Sequence, residues 1–187
     1  PLQVLRGALD GAAEAGDRAH FDRGHRAIDR MEDMITDILA LARQGDTVGE
    51  LRTVPLARIV ETAWQNLRTA DATLVVETDL QIRASEIRLR QLLENLLRNA
   101  VEHAGADTTV RVGTLPDGFY VADDGCGIPA ADRDRVFDTQ YSTAPNGTGF
   151  GLAIVEGIAE AHGWQITLTD SEDGGARFEF SGVTIDE

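Results

Sequence analysis

Two tight polar turns do most to limit how this chain can fold. Pro116-Asp117-Gly118 separates alternating runs at residues 108–114 and 119–123, and Asp173-Gly174-Gly175 separates those at 165–169 and 176–180. Short runs of period two joined by such turns read as paired strands. Residues 72–78 and 81–84 read as two more strands. Helical spacing occupies residues 55–69, where Ile59, Val60, Ala63 and Leu67 share one side, and also 85–103 and 150–162. Pro55 suits the opening of the first of these helices, and Ser85 the cap of the second. Strand pairs interspersed with helices predict an α+β fold: a two-layer α/β sandwich, with a mixed sheet covered by helices on one face.

The first 44 residues follow another rhythm. Leu2, Leu5, Leu9 and Ala12 step by three and four, Glu14-Ala15-Gly16-Asp17 breaks the pattern, and Phe21, Gly24, Ile28, Met31, Ile35, Ile38 and Ala42 resume it. That is a heptad-like seam, widened by Met34 and Leu41, on a two-helix hairpin over residues 1–44. Dimerisation into a four-helix bundle would cover the stripe; folding back onto the rest of the chain is the other solution. Residues 45–54, polar and carrying Gly45 and Gly49, read as a linker, and 55–187 as the main domain.

Charge narrows the choice of partners. The chain has 32 acidic and 17 basic residues, a formal net charge of −15, and every basic residue is an arginine. Such a surface repels nucleic-acid phosphates and anionic lipid, so neither nucleic acid nor membrane contact is expected. Self-repulsion of this size is tolerable in a salt-loaded cytoplasm, where the Debye length falls to roughly 3 Å at 1 M. The single cysteine, Cys126, excludes an internal disulfide and agrees with a cytoplasmic setting, although an anchor outside these residues would be compatible with both.

Three segments carry chemistry. In Glu94-Asn95-Leu96-Leu97-Arg98-Asn99-Ala100-Val101-Glu102-His103, Asn95, Asn99 and Glu102 share a polar helix face beside a leucine stripe. Amide oxygens suit Mg²⁺ that phosphates already hold; they equally suit a solvated face. In Val121-Ala122-Asp123-Asp124-Gly125-Cys126-Gly127-Ile128-Pro129 a strand runs into a D-x-G-x-G turn. Its carboxylate can accept a bond from an amino group such as that of adenine, and its glycines let backbone approach a flat ring; an ordinary Asp-Gly turn has the same letters. In Asn146-Gly147-Thr148-Gly149-Phe150-Gly151-Leu152 a glycine-rich loop enters a helix, whose free N–H groups suit a polyphosphate. The spacing is not the dinucleotide fingerprint, and a chain without lysine has no P-loop.

Together and in this order, the segments closely resemble the N, G1 and G2 boxes of the GHKL ATPase superfamily. Arg135-Val136-Phe137-Asp138 with Gln140-Tyr141-Ser142-Thr143 resembles the F box, placed between G1 and G2 as in sensor histidine kinases. The acidic, lysine-free composition points to the kinases of halophilic archaea. The hairpin resembles the dimerisation and phosphoacceptor domain of that family, and Pro1-Leu2 resembles the end of the acceptor box, which implies an acceptor histidine just upstream of Pro1.

The resemblance implies an ATP-dependent histidine autokinase core of a two-component system, using ATP and Mg²⁺. Its partners would be a second copy through the hairpin and a response-regulator receiver domain. It implies Asp123 for the adenine amino group, with Gly125, Gly127 and Ile128 shaping the pocket. It implies Asn95 and Asn99 for Mg²⁺ and phosphate, Asn99 the more direct. Gly147, Thr148, Gly149, Phe150, Gly151 and Leu152 would cradle phosphates, Tyr141 would belong to the nucleotide site, and 138–148 would form an ATP lid. Many family members carry lysine where Glu102 stands, so Arg98, His103 or the metal would have to supply positive charge. The other readings are a different GHKL enzyme (a clamp ATPase or an anti-sigma-type serine kinase) and a nucleotide-binding dimerisation module without kinase activity.

Overall fold

The computed structural model describes residues 24, 31, 49–67, 71–104, 107–139 and 149–186. The hairpin expected over residues 1–44 therefore lies outside the described residues, apart from Gly24 and Met31, which are helical.

Five strands form the main sheet, in the order β2(Thr73–Glu77), β4(Thr109–Leu115), β5(Gly118–Asp123), β7(Ala176–Ser181), β6(Gln165–Asp170). β2 and β4 run parallel and the other neighbours antiparallel, so the sheet is mixed. The two polar turns close β4–β5 and β6–β7, where the sequence places them. A second sheet of three strands has the order β1(Arg52–Pro55), β3(Gln81–Ala84), β8(Ile185–Asp186).

Three helices cover one face: α1(Leu56–Gln65), α2(Glu86–Ala104) and α3(Gly151–His162). α1 buries Leu56, Ile59, Val60 and Ala63, positions spaced for a single stripe. α2 lies between α1 and α3 and buries Leu89, Leu92, Leu93, Leu96, Leu97 and Ala100. α3 ends on Gly163, whose φ of 76° suits glycine. There the N–H groups of Gly163 and Trp164 donate to the carbonyls of Glu160 and Ala159, a Schellman closure. The sheet offers these helices Val110, Val112, Phe119, Val121, Phe178 and Phe180. Phe119 and Phe180 face each other in register with centroids 4.8 Å apart, and Trp164 meets Phe119 edge-on at 5.9 Å. Burying such rings contributes roughly 1.5–3 kcal/mol each.

Two boundaries differ from the sequence reading. The last part of the supposed linker, from Arg52, is strand β1. Pro55 ends that strand with ψ of 111°, so the helix begins one residue later and stops at Gln65, not 69. Proline lacks a ladder donor, and β1 tolerates it because it is the sheet's edge.

Candidate nucleotide-binding site

Asp123 is the last residue of β5, and its carboxylate turns back on its own loop. Its Oδ1 accepts the Gly125 N–H at 2.9 Å and the Ala176 N–H at 3.2 Å. Among the described residues, Oδ2 has no hydrogen-bond partner. Burial raises its pKa, and the two backbone donors oppose that shift. Its neighbour Asp124 does a different job. Asp124 Oδ1 accepts from Thr108 Oγ1 at 2.7 Å and the Thr109 N–H at 2.8 Å, tying the loop to the start of β4, and the Thr108 hydroxyl bond leads in holding its pKa down.

The loop rests on the β6–β7 turn. A Cβ at Gly175 would lie 2.1 Å from the Asp123 carbonyl oxygen and 2.3 Å from Oδ1, so only hydrogen fits. Gly127 has φ of 68°, and a Cβ there would lie 3.2 Å from the Gly174 carbonyl oxygen. On the α2 side, the Cys126 thiol reaches the His103 carbonyl at 3.7 Å. His103 is exposed, and its charge favours the ionised form of Asp123, as the smallest influence on that group.

α2 and α3 bring the first and third segments together. Asn95 is buried (7% exposed) and Asn99 half-buried. A Cβ built on Gly151 would lie 3.7 Å from the Oδ1 atom of each. Both amides thus border the start of α3. That start carries no side-chain cap and no acidic residue in its first turn, while Gly149 adopts φ of 71°. Its backbone donors are the kind that receive an anion. Ile128, Phe150 and Leu152 pack against the core, supporting the site from beneath. Arg98 is half-buried and Glu102 exposed. Tyr141, Gly147, Thr148 and most of the expected lid at 138–148 lie outside the described residues.

Residues 84–184 match the family of histidine kinase-, DNA gyrase B- and HSP90-like ATPases. The chain belongs to that family. Within this ATPase family its relatives include sensor kinases. It is 35% identical over 150 residues to the sensor protein IrlS of Burkholderia pseudomallei, covering 72% of this chain and 32% of that protein. It is 34% identical over 167 residues to the sensor histidine kinase ZraS of Klebsiella oxytoca, covering 83% and 36% respectively. The adaptive-response sensory kinase SasA of Synechococcus is 28% identical over 96% of this chain and 52% of its own length. The chain thus spans about half or less of these curated relatives. Among solved structures, the Acinetobacter baumannii histidine kinase AdeS shares the fold with a TM-score of 0.76 at 18% identity, covering 100% of this chain and 96% of that one. The nucleotide-free catalytic domain of the histidine kinase ThkA gives 0.61 at 25% identity, covering 73% and 95%.

Residues of this ATPase domain that sequence reading passed over are Gly175, Ala176 and Arg133. Gly175 and Ala176 lie 52 and 53 positions beyond Asp123, and read as turn and strand only. The doubled glycine of Asp173-Gly174-Gly175 was the available signal, since one glycine suffices for most turns.

Proposed function

We propose that this chain binds Mg-ATP and is the catalytic core of a sensor histidine kinase. The observation that carries the reading is the convergence of Asn95 and Asn99 of α2 on Gly151 at the start of α3, beside which stands the Asp123 loop anchored by Gly125 and Ala176. Asp123, whose Oδ2 has no hydrogen-bond partner among the described residues, accepts the adenine amino group. The first turn of α3 donates backbone N–H groups to the phosphates. Asn95 and Asn99 turn amide oxygens toward a phosphate-held cation, Asn99 more directly because it is less buried.

The donor set fits Mg²⁺ in that role. Among the described residues no group of three or more His, Cys, Asp or Glu could hold a metal; the amides of Asn95 and Asn99 would supply part of a shell that phosphate and water complete. Bound there, the ion would withdraw charge from the phosphate oxygens. In the reaction the bond between the γ-phosphorus and the ADP oxygen breaks and a bond from phosphorus to a histidine nitrogen forms. This domain contributes position and charge stabilisation. An acceptor histidine, a dimer partner through the hairpin expected over residues 1–44 and a receiver-domain aspartate would complete the pathway. Among the described residues no helix is long and apolar enough to cross a membrane.

A hydrolytic ATPase of the same family is less well supported. Glu94, the available carboxylate beside Asn95, is engaged by Asn66 at 3.4 Å and by Arg90 at 3.8 Å, toward the end of α1. The test is calorimetry of Mg-ATP in concentrated KCl with the wild-type chain and Asp123→Asn. The amide keeps an acceptor for Gly125 and Ala176 but places a donor against the base. The expected loss is about tenfold to a hundredfold, or ~1.4–2.7 kcal/mol. Equal binding by both proteins would remove Asp123 from the base pocket.

A further inference from the structure

The Asp123 end of the nucleotide loop is fixed by its own carboxylate; the far end is fixed by a residue outside the three segments. Arg133 Nε donates to the Ile128 carbonyl at 3.0 Å, and Arg133 Nη2 pairs with Asp170 at the end of β6. The coil after Pro129 brings Arg133 there. Asp132 N–H donates to the Pro129 carbonyl at 2.9 Å, and the N–H groups of Arg135 and Val136 donate to the Asp132 carbonyl at 2.9 and 3.0 Å, so the chain winds back under the loop.

Asp170 is paired in register with Ala176, whose N–H is the one that holds Asp123. The two ends of the loop are therefore tied to the same hairpin: Asp123 to β7 through Ala176, and Ile128 to β6 through Arg133. Between them Gly127, in its left-handed conformation, lies on the carbonyls of Gly174 and Gly175.

Resting on the nucleotide reading above, we infer that Arg133 is a positioning residue for the base pocket, acting through the Ile128 carbonyl. The bond to Ile128 carries the effect. The pair with Asp170 joins a side chain 25% exposed to one 72% exposed, and exposed pairs contribute little. Without the Nε donor the loop loses its far anchor, the Ile128 carbonyl returns to water, and the Asp123 carboxylate no longer holds one fixed direction for the base. The phosphate side, built on α2 and α3, is untouched.

The experiment measures dissociation constants of Mg-ATP, Mg-ITP and inorganic tripolyphosphate for the wild-type chain, Arg133→Met, Arg133→Gln and Asp170→Asn. ITP carries an oxygen where ATP carries the amino group, so the ATP/ITP ratio reads the fit between Asp123 and the base. Arg133→Met is expected to weaken ATP about tenfold, narrow the ATP/ITP ratio and leave tripolyphosphate unchanged. Arg133→Gln, which can still donate to the carbonyl, regains most of the ratio, and Asp170→Asn stays within about twofold of wild type. A general loss of structure would weaken all three ligands together and leave no such pattern. If Arg133→Met does not fold, Arg133→Ala, which also lacks the donor, replaces it, with a narrowed ratio again expected. An unchanged ATP/ITP ratio in a folded Arg133→Met or Arg133→Ala overturns the proposal. A wild-type chain that binds no Mg-ATP overturns the nucleotide reading itself, and this inference with it.

Discussion

His162 Nε2 accepts the backbone N–H of Ser85 at 3.1 Å, joining the last turn of α3 to the residue before α2. The other ring nitrogen, Nδ1, lies 2.8 Å from the Ile158 carbonyl and so carries the proton, and the ring stacks on Trp164 with centroids 4.4 Å apart. A second proton would have to go on Nε2, where it would meet the Ser85 donor.

This arrangement makes stability depend on pH. Burial lowers the pKa of His162 below 6.5, and the positive charge of Arg88 acts in the same direction, while the bond to Ile158 opposes it. The unfolded chain therefore takes up the proton first as pH falls. The contribution is complete above 6.5 and is lost as pH drops through the lowered native value. Thermal melts of wild type and His162→Phe between pH 8 and 5 test this. Wild type should lose more melting temperature across the window than the variant; parallel curves would exclude His162 as the source.

Gly175 should be less tolerant than any glycine needed only for its dihedral. At Gly163 an added methyl meets nothing within 4 Å, and the cost is the left-handed backbone alone, about 1 kcal/mol. At Gly175 the same methyl would overlap Asp123, and overpacking costs roughly 1–3 kcal/mol. Gly175→Ala should melt lower than Gly163→Ala and, unlike it, should lose Mg-ATP. Equal nucleotide binding by the two variants would mean that the β6–β7 turn does not shape the pocket.

If Asn99 serves the cation, its effect should depend on the cation. In the wild-type chain Mg²⁺ should tighten ATP binding relative to excess EDTA. Asn99→Ala should close that gap by about tenfold and leave binding in EDTA little changed. Asn95→Ala, removing a side chain only 7% exposed, should lower the melting temperature as well. A loss in Asn99→Ala of the same size with and without Mg²⁺ would assign Asn99 to phosphate or structure instead.

The net charge of −15 should make the fold salt-dependent. Screening shortens from about 10 Å at 0.1 M to about 3 Å at 1 M, which relieves repulsion among exposed carboxylates. The melting temperature should climb steadily with KCl over that range, and urea midpoints should follow. A flat profile would count against an origin in a salt-loaded cell.

Much of this was legible because period and punctuation agree. The leucine stripe of α2, the two polar turns and the helical spacing of α3 each predict their own local structure. β1 and β8 were not legible: four residues ending in proline and two residues near the end of the chain carry no alternation. They are strands because both pair with β3. The site divides in the same way. Asp123, Asn95 and Asn99 stand in patterned segments, whereas Gly175 and Arg133 matter through contacts that only the folded chain creates.

Cys126 sits exposed between the two glycines of the nucleotide loop, and it is the chain's one thiol. No lysine competes for an electrophile. A maleimide dye would therefore find a single address, in the loop that follows Asp123, with no engineering of the protein beforehand. Labelled there, the native chain would give an optical gauge of nucleotide occupancy if the proposed site holds, readable at high salt.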